Sequence, residues 1–191
     1  MNNEDKFISL FPTGVMLVDM SNHPCKQIAL DIIDSTETTN HQLVNKGSSS
    51  FDTSNILFHP SLEQLKNDIH SSVKKYATLA GNFPLVIANN WFNKMNHGGS
   101  VIPHRHEGSV ISGAYYIRAP IGSSSLHFSS PLKPLRMYDL SNNTTKFNEA
   151  YHTIPCVEDL LVLFPSWLEH YTDENDNNER TVISFNTEYL K

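Results

Sequence analysis

The sequence predicts an α+β fold in which an antiparallel sandwich or jelly roll carries two earlier helices on one face. Three observations predict it. Two stretches before residue 84 carry apolar residues at helical spacing, the apolar period then drops from 3.6 to 2, and the short extended runs that follow are separated by Gly, Pro, Asn and Ser. With 191 residues, 39% hydrophobic and 10% aromatic, the chain can bury one core without disulfides. A single domain over 1–191 is therefore expected, with N-terminal strands and helices in 1–83 and the jelly-roll core in 84–191.

In chain order, residues 7–19 (Phe7, Ile8, Leu10, Phe11, Val15, Leu17) suggest a strand pair, or a strand with a turn at Pro12 to Gly14. After Pro24, the residues Cys25, Ile28, Ala29, Ile32 and Ile33 form one stripe of an amphipathic helix. Ser48 to Ser50 reads as a polar surface loop. A second helix is expected from about Pro60, where Ser61 and Gln64 have capping-box spacing. Its inner face is Leu62, Leu65, Ile69, Val73, Tyr76 and Ala80, and it ends at Gly81. Candidate strands follow at Leu85–Phe92, Val101–His106, Val110–Arg118, Leu126–Phe128, Leu135–Tyr138, Phe147–Thr153, Leu160–Phe164 and Thr181–Tyr189. Ser123–Ser125 and Asp173–Glu179 read as surface loops.

Charge narrows the function classes. Fourteen Lys and Arg against 20 Asp and Glu give a formal charge of −6, and the densest basic stretch, Lys133–Arg136, holds two charges split by a proline. Neither nucleic acid nor an anionic membrane is an expected partner. No apolar run approaches the roughly 20 residues that cross a bilayer, and Cys25 and Cys156 read as reduced packing residues, so a cytoplasmic location is expected. Histidine is the unusual residue: of ten, six (His97, His104, His106, His127, His152, His170) fall in the C-terminal half.

The informative segment is Pro103-His104-Arg105-His106-Glu107-Gly108. On an extended chain His104 and His106 point to one face, about 7 Å apart at the backbone, with Arg105 turned away. Two neutral imidazoles can then converge on a transition metal, although a bare His-x-His also occurs on ordinary surfaces. The apolar strand Leu160–Phe164 turns at Pro165 and delivers His170, which is either a third ligand or a loop cap. Arg180 opens the strand Thr181–Asn186, sharing a face with Val182 and Ser184. An arginine there needs a carboxylate or phosphate for its planar fork, and Glu107 or Glu169 is the plain internal partner.

In this order the motifs resemble the iron(II)- and 2-oxoglutarate-dependent oxygenase superfamily, closest to the small oxygenases of marine bacteria and their phages. The resemblance rests on Trp91 and Asn93 leading into Pro103-His104-Arg105-His106, on Ser112-Gly113-Ala114-Tyr115-Tyr116-Ile117, on Leu163-Phe164-Pro165-Ser166-Trp167-Leu168-Glu169-His170, and on Arg180 through Phe185-Asn186. It spans residues 85–190 and implies a double-stranded β-helix, a cupin-like jelly roll holding one ferrous ion at its open end. It also implies that His104 and His170 are iron ligands and that Arg180 pairs with the distal carboxylate of 2-oxoglutarate, with Tyr116 donating to the same group. Ser184 can add a further hydrogen bond, although the superfamily often places its hydroxyl two residues after the arginine, where this chain has Val182.

One departure stands out. The usual triad is two histidines and one carboxylate, whereas this chain has His106 in the carboxylate's position. The expected ligands are therefore His104, His106 and His170, with Glu107 in reserve or as an acceptor for an imidazole N–H. Trp91, Phe92, Tyr115, Trp167 and Tyr171 are candidate pocket aromatics, and the loops Gly98–Ile102 and Gly122–Ser125 are candidates for substrate contact. His97, His127 and His152 are left as structural or exposed. The implied activity is a hydroxylase acting on a protein side chain or small metabolite, with Fe(II) and 2-oxoglutarate as cofactors and succinate and CO2 as co-products. Two alternatives stay open: a three-histidine zinc enzyme that activates water, and a jelly-roll binding or structural protein without catalysis.

Overall fold

A computed structural model describes residues 8–81, 84–135 and 144–190. Nine strands and two helices follow in the order β1 (Met16–Asp19), α1 (Lys26–Ser35), β2 (Val44–Ser49), α2 (Glu63–Ala80), β3 (Leu85–Val101), β4 (Ile111–Arg118), β5 (Leu126–Ser129), β6 (Tyr151–Ile154), β7 (Leu160–Pro165), β8 (His170–Thr172) and β9 (Arg180–Tyr189). They make a six-stranded sheet, β1-β7-β4-β9-β3-β2, and a three-stranded sheet, β6-β5-β8, and every strand pairing among the described residues is antiparallel.

Strand parity divides the large sheet into two faces. Tyr115 and Ile117 of β4, Leu161 and Leu163 of β7, and Ile183 and Phe185 of β9 belong to one buried cluster with Ala29 and Ile33 of α1 and Leu65, Ile69 and Val73 of α2. Their neighbours in sequence, Ala114, Tyr116, Val162, Phe164 and Val182, join Leu126, Phe128 and Ile154 of the small sheet in a second cluster. Gly113 permits this packing, because a Cβ there would lie 2.2 Å from the Phe185 ring.

The helices depart from expectation in detail. In α1 Leu30 is buried while Ile28 is exposed, and in α2 Ala77 is buried while Ala80 is exposed. Two 3-10 turns, Ile56–Phe58 and Pro60–Leu62, precede α2, and His59 rather than Ser61 accepts the cap bond of the second, from the Ser61 amide. The left-handed backbone at Gly81, φ 145°, ends α2 as the sequence predicts.

Larger differences lie in the strands. Residues 8–11 form no strand, and β1 is confined to Met16–Asp19; Phe7 lies outside the described residues. The polar Ser48–Ser50 segment belongs to an edge rather than a surface loop: Ser48 and Ser49 pair with β3, and Ser49 and Ser50 are fully buried. The Asn- and Gly-rich stretch after Phe92 continues β3, because main-chain pairing to β2 and β9 needs no apolar side chains. The turn signals survive as an irregularity, with Asn45 opposite Ser100 and Gly47 opposite Met95. Val101–His106 is not a strand, since Pro103 lacks an N–H for a ladder; one isolated bridge, His104 to His170, replaces it. Leu135 sits in a 3-10 turn, Arg136–Tyr138 lie outside the described residues, and the strand expected at Phe147–Thr153 is Tyr151–Ile154.

Candidate metal and dicarboxylate site

His104 and His106 reach the open end of the two sheets on the irregular segment after Pro103. The His104 amide donates to the His170 carbonyl and the His170 amide to the His104 carbonyl, both at 3.1 Å, so the two residues face each other across one bridge. The His106 amide is held by the Ser166 carbonyl at 3.0 Å. Ring centroids are then 4.2 Å apart for His104 and His170, 5.0 Å for His104 and His106, and 5.1 Å for His106 and His170. One ring nitrogen from each falls within 4.8 Å of the others.

The protonation pattern suits coordination. His104 Nδ1 lies 2.8 Å from the Ile102 carbonyl and His170 Nδ1 2.9 Å from the Leu168 carbonyl, so each Nδ1–H donates to the main chain and each Nε2 keeps a free lone pair. Burial keeps all three rings neutral: it lowers the pKa of His104, moves His106 to about 4, and moves His170 to about 3, with neighbouring histidines adding to the last two. Glu107 is exposed and outside the converging set.

Arg180 is 3% exposed at the start of β9, opposite Met95 of β3. Its Nε donates to the Ser124 carbonyl at 3.1 Å and its Nη1 to Met95 Sδ at 3.1 Å, while its guanidinium carbon lies 5.3 Å from the Tyr116 ring centre. Among the described residues no carboxylate pairs with it; Glu169 lies instead 3.5 Å from Arg105. A buried guanidinium set among a carbonyl, a thioether, the Tyr116 phenol and the Cys156 thiol, with no carboxylate among the described residues, calls for an anion. The Tyr116 hydroxyl is fully buried without a hydrogen-bond partner, and burial pushes its pKa up. Arg180, Tyr116 and Ser184 line one hollow of about 60 Å³ together with His104, His106 and His170. That hollow adjoins a wider cleft of about 350 Å³, sharing Trp91, Asn93, Val101, His104 and His106 with it.

Other expected residues divide. Trp91 and Tyr171 line the hollow, whereas Phe92 and Tyr115 pack in the helix-side core and Trp167 is 53% exposed. The expected Gly98–Ile102 loop is instead the end of β3 as far as Val101, and Val101 borders both cavities. Gly122–Ser125 contributes the carbonyl that holds Arg180. His127 contacts Thr153 and Asp173, and His152 contacts Glu149, away from the cluster. The sequence reading missed Asn175 and Asn177. Asn175 is fully buried and its side chain accepts from the Ser124 amide, while Asn177 Oδ1 accepts from the amides of Glu179 and Arg180. The signal was present as Asn-rich turn chemistry in 173–179, which reads as solvated loop until its partners are known.

Residues 89–186, just over half of the 191-residue chain, match the family model described as "Putative 2OG-Fe(II) oxygenase". The chain belongs to this family. It is thus an iron(II)- and 2-oxoglutarate-dependent oxygenase, and Fe(II) and 2-oxoglutarate are its cofactors. The donor set fits them: neutral imidazoles suit a transition metal, and an unpaired buried guanidinium beside an orphaned hydroxyl suits a dicarboxylate. Solved structures show the same jelly-roll fold. SnoN, the non-heme alpha-ketoglutarate-dependent epimerase from nogalamycin biosynthesis, is 13% identical with TM-score 0.67, covering 93% of this chain and 77% of that one. HygX from Streptomyces hygroscopicus, with nickel and 2-oxoglutarate bound, is 10% identical with TM-score 0.64, covering 93% and 84%. A prolyl hydroxylase from Trichoplax adhaerens, in complex with a hypoxia-inducible-factor peptide, is 14% identical with TM-score 0.62, covering 91% and 83%. A comparison with curated proteins gives no match.

Proposed function

We propose that this oxygenase hydroxylates a C–H bond of a protein side chain or small metabolite, with His104, His106 and His170 holding the iron. Arg180 and Tyr116 bind the distal carboxylate of 2-oxoglutarate, and Ser184 adds a hydroxyl from the same hollow. The observation that carries this reading is Arg180, buried with no acidic partner among the described residues and lining the same hollow as the three imidazoles. A water-activating zinc site has no use for such an arginine, which weighs against the zinc alternative.

Bound there, the cofactor pair supplies the oxidation R–H + O2 + 2-oxoglutarate → R–OH + succinate + CO2. The chain's own share is orientation and exclusion of water. Main-chain carbonyls fix two of the rings through Nδ1, and the Asn177 side chain holds the amide of Arg180. The third imidazole in place of a carboxylate leaves the site one charge more positive, which favours a doubly negative co-substrate. We further propose that 1–83 and 84–191 act as one domain with α1 and α2 covering the large sheet, and that the protein works in a reducing cytoplasm; no described helix is long and apolar enough to cross a membrane.

Aerobic incubation with Fe(II) and 2-oxoglutarate is expected to yield succinate from the wild-type protein. Arg180→Met is expected to weaken 2-oxoglutarate binding at least tenfold in calorimetry, the loss of a charge-assisted bidentate contact. Unchanged affinity, or zinc retention with no succinate, overturns the assignment.

A further inference from the structure

Glu107 directly follows the His-x-His pair yet takes no part in the donor cluster. Glu107 lines the outer cleft, and among the described residues its carboxylate has neither an ion-pair nor a hydrogen-bond partner. The amide oxygen of Asn93, which borders both the cleft and the hollow, is buried and accepts from no donor. The cleft thus holds one unpaired anionic acceptor, Glu107, and one buried, unmet amide oxygen, Asn93, beside the side-chain amides of Gln42 and Asn89. Two basic groups that line it each have one partner elsewhere. Arg105 reaches Glu169 at 3.5 Å, and His41 Nδ1 accepts the Leu43 amide at 3.3 Å.

The cleft wall is a file of rings leading to the histidine cluster. His41 and Phe51 have centroids 5.1 Å apart, Phe51 meets Trp91 edge-on at 5.1 Å, and Trp91 lies 5.9 Å from His106. Indole and phenyl faces cover aliphatic stems and attract cations, and an unpaired carboxylate with an unpaired amide oxygen adds places for N–H donors. We propose that the outer cleft selects substrates carrying a cationic nitrogen with N–H donors, an alkylammonium or guanidinium on an aliphatic stem. Glu107 is its charge partner and Asn93 an acceptor for its N–H. The stem runs along Trp91 toward His106, which brings its carbons, rather than its charged end, to the histidines. This assignment rests on the oxygenase reading and deepens it by naming the substrate class.

The test is calorimetry on the full chain with probe pairs that differ only in the ammonium group: N-acetyl-lysine methylamide against N-acetyl-norleucine methylamide, and free lysine against free norleucine. Wild type is expected to prefer the lysine member of at least one pair roughly tenfold, and Glu107→Gln to reduce that preference below about twofold while leaving the affinity for the uncharged N-acetyl-norleucine methylamide unchanged. Preference in the capped pair places the cation on a peptide, and preference in the free pair places it on a metabolite. Equal affinity within both pairs, no binding of either lysine probe at millimolar concentration, or a preference that survives in Glu107→Gln overturns the proposal. Succinate formation by wild type is measured separately. Its absence defeats the oxygenase reading and leaves the calorimetric preference standing, whereas succinate without the preference defeats the substrate class alone.

Discussion

Tyr115 and Tyr116 are adjacent, both fully buried, and lie on opposite faces of the large sheet. On the helix side the Tyr115 hydroxyl donates to Asp159 Oδ1 at 3.3 Å amid aliphatic and aromatic packing. On the inner side the Tyr116 hydroxyl has no hydrogen-bond partner among the described residues and lies beside Arg180, which pairs with no described acid. Burial is equal, so the difference is in satisfaction. The helix face is finished by folding, whereas the inner face keeps polar groups that only a ligand can complete.

Substitutions can break that contrast. The largest effect is expected from Phe185→Ala on the helix face, a loss of about 3–5 kcal/mol of stability by denaturant unfolding, with a cavity against α2 as the cause. Gly113→Ala should cost about 1–3 kcal/mol, because the new methyl meets the Phe185 ring and forces it aside; a smaller loss would mean the ring has room to move. Arg180→Met should leave ligand-free stability unchanged or higher, since it removes a buried unpaired charge, while abolishing the thermal stabilisation that 2-oxoglutarate gives wild type. A destabilised Arg180→Met protein would show that the arginine belongs to the scaffold. The finest comparison is Tyr115→Phe against Tyr116→Phe. The first should lose about 1 kcal/mol of stability, whereas the second should lose none and weaken 2-oxoglutarate binding several-fold.

Much of this was legible in the sequence. β4 and β7 read as near-continuous apolar runs because each is buried on both faces by different partners, and strand parity alone grouped Arg180 with Val182 and Ser184. β2 was not legible, because Val44–Ser49 pairs through its main chain with few apolar side chains to mark it. The histidine pair was found for a partly mistaken reason. His104 and His106 share a face without forming a regular strand, and the His170 bridge and the Ser166 carbonyl hold them instead. Sequence also left Arg180 open, since Glu169 was an equally good partner until the structure put it beside Arg105. The acceptor groups of Asn93 and the loop bonds of Asn175 and Asn177 depend on contacts far apart in the chain, which no local pattern records.

The reciprocal main-chain bridge between His104 and His170 also decouples frame from chemistry. Amide and carbonyl groups, present in every residue but proline, fix where these two positions sit, so exchanging either imidazole for a carboxylate or a thiol changes the donor atom without releasing the backbone that presents it. With the proposed ligand set, the fold thus offers one mounting on which metal preference can be retuned one side chain at a time.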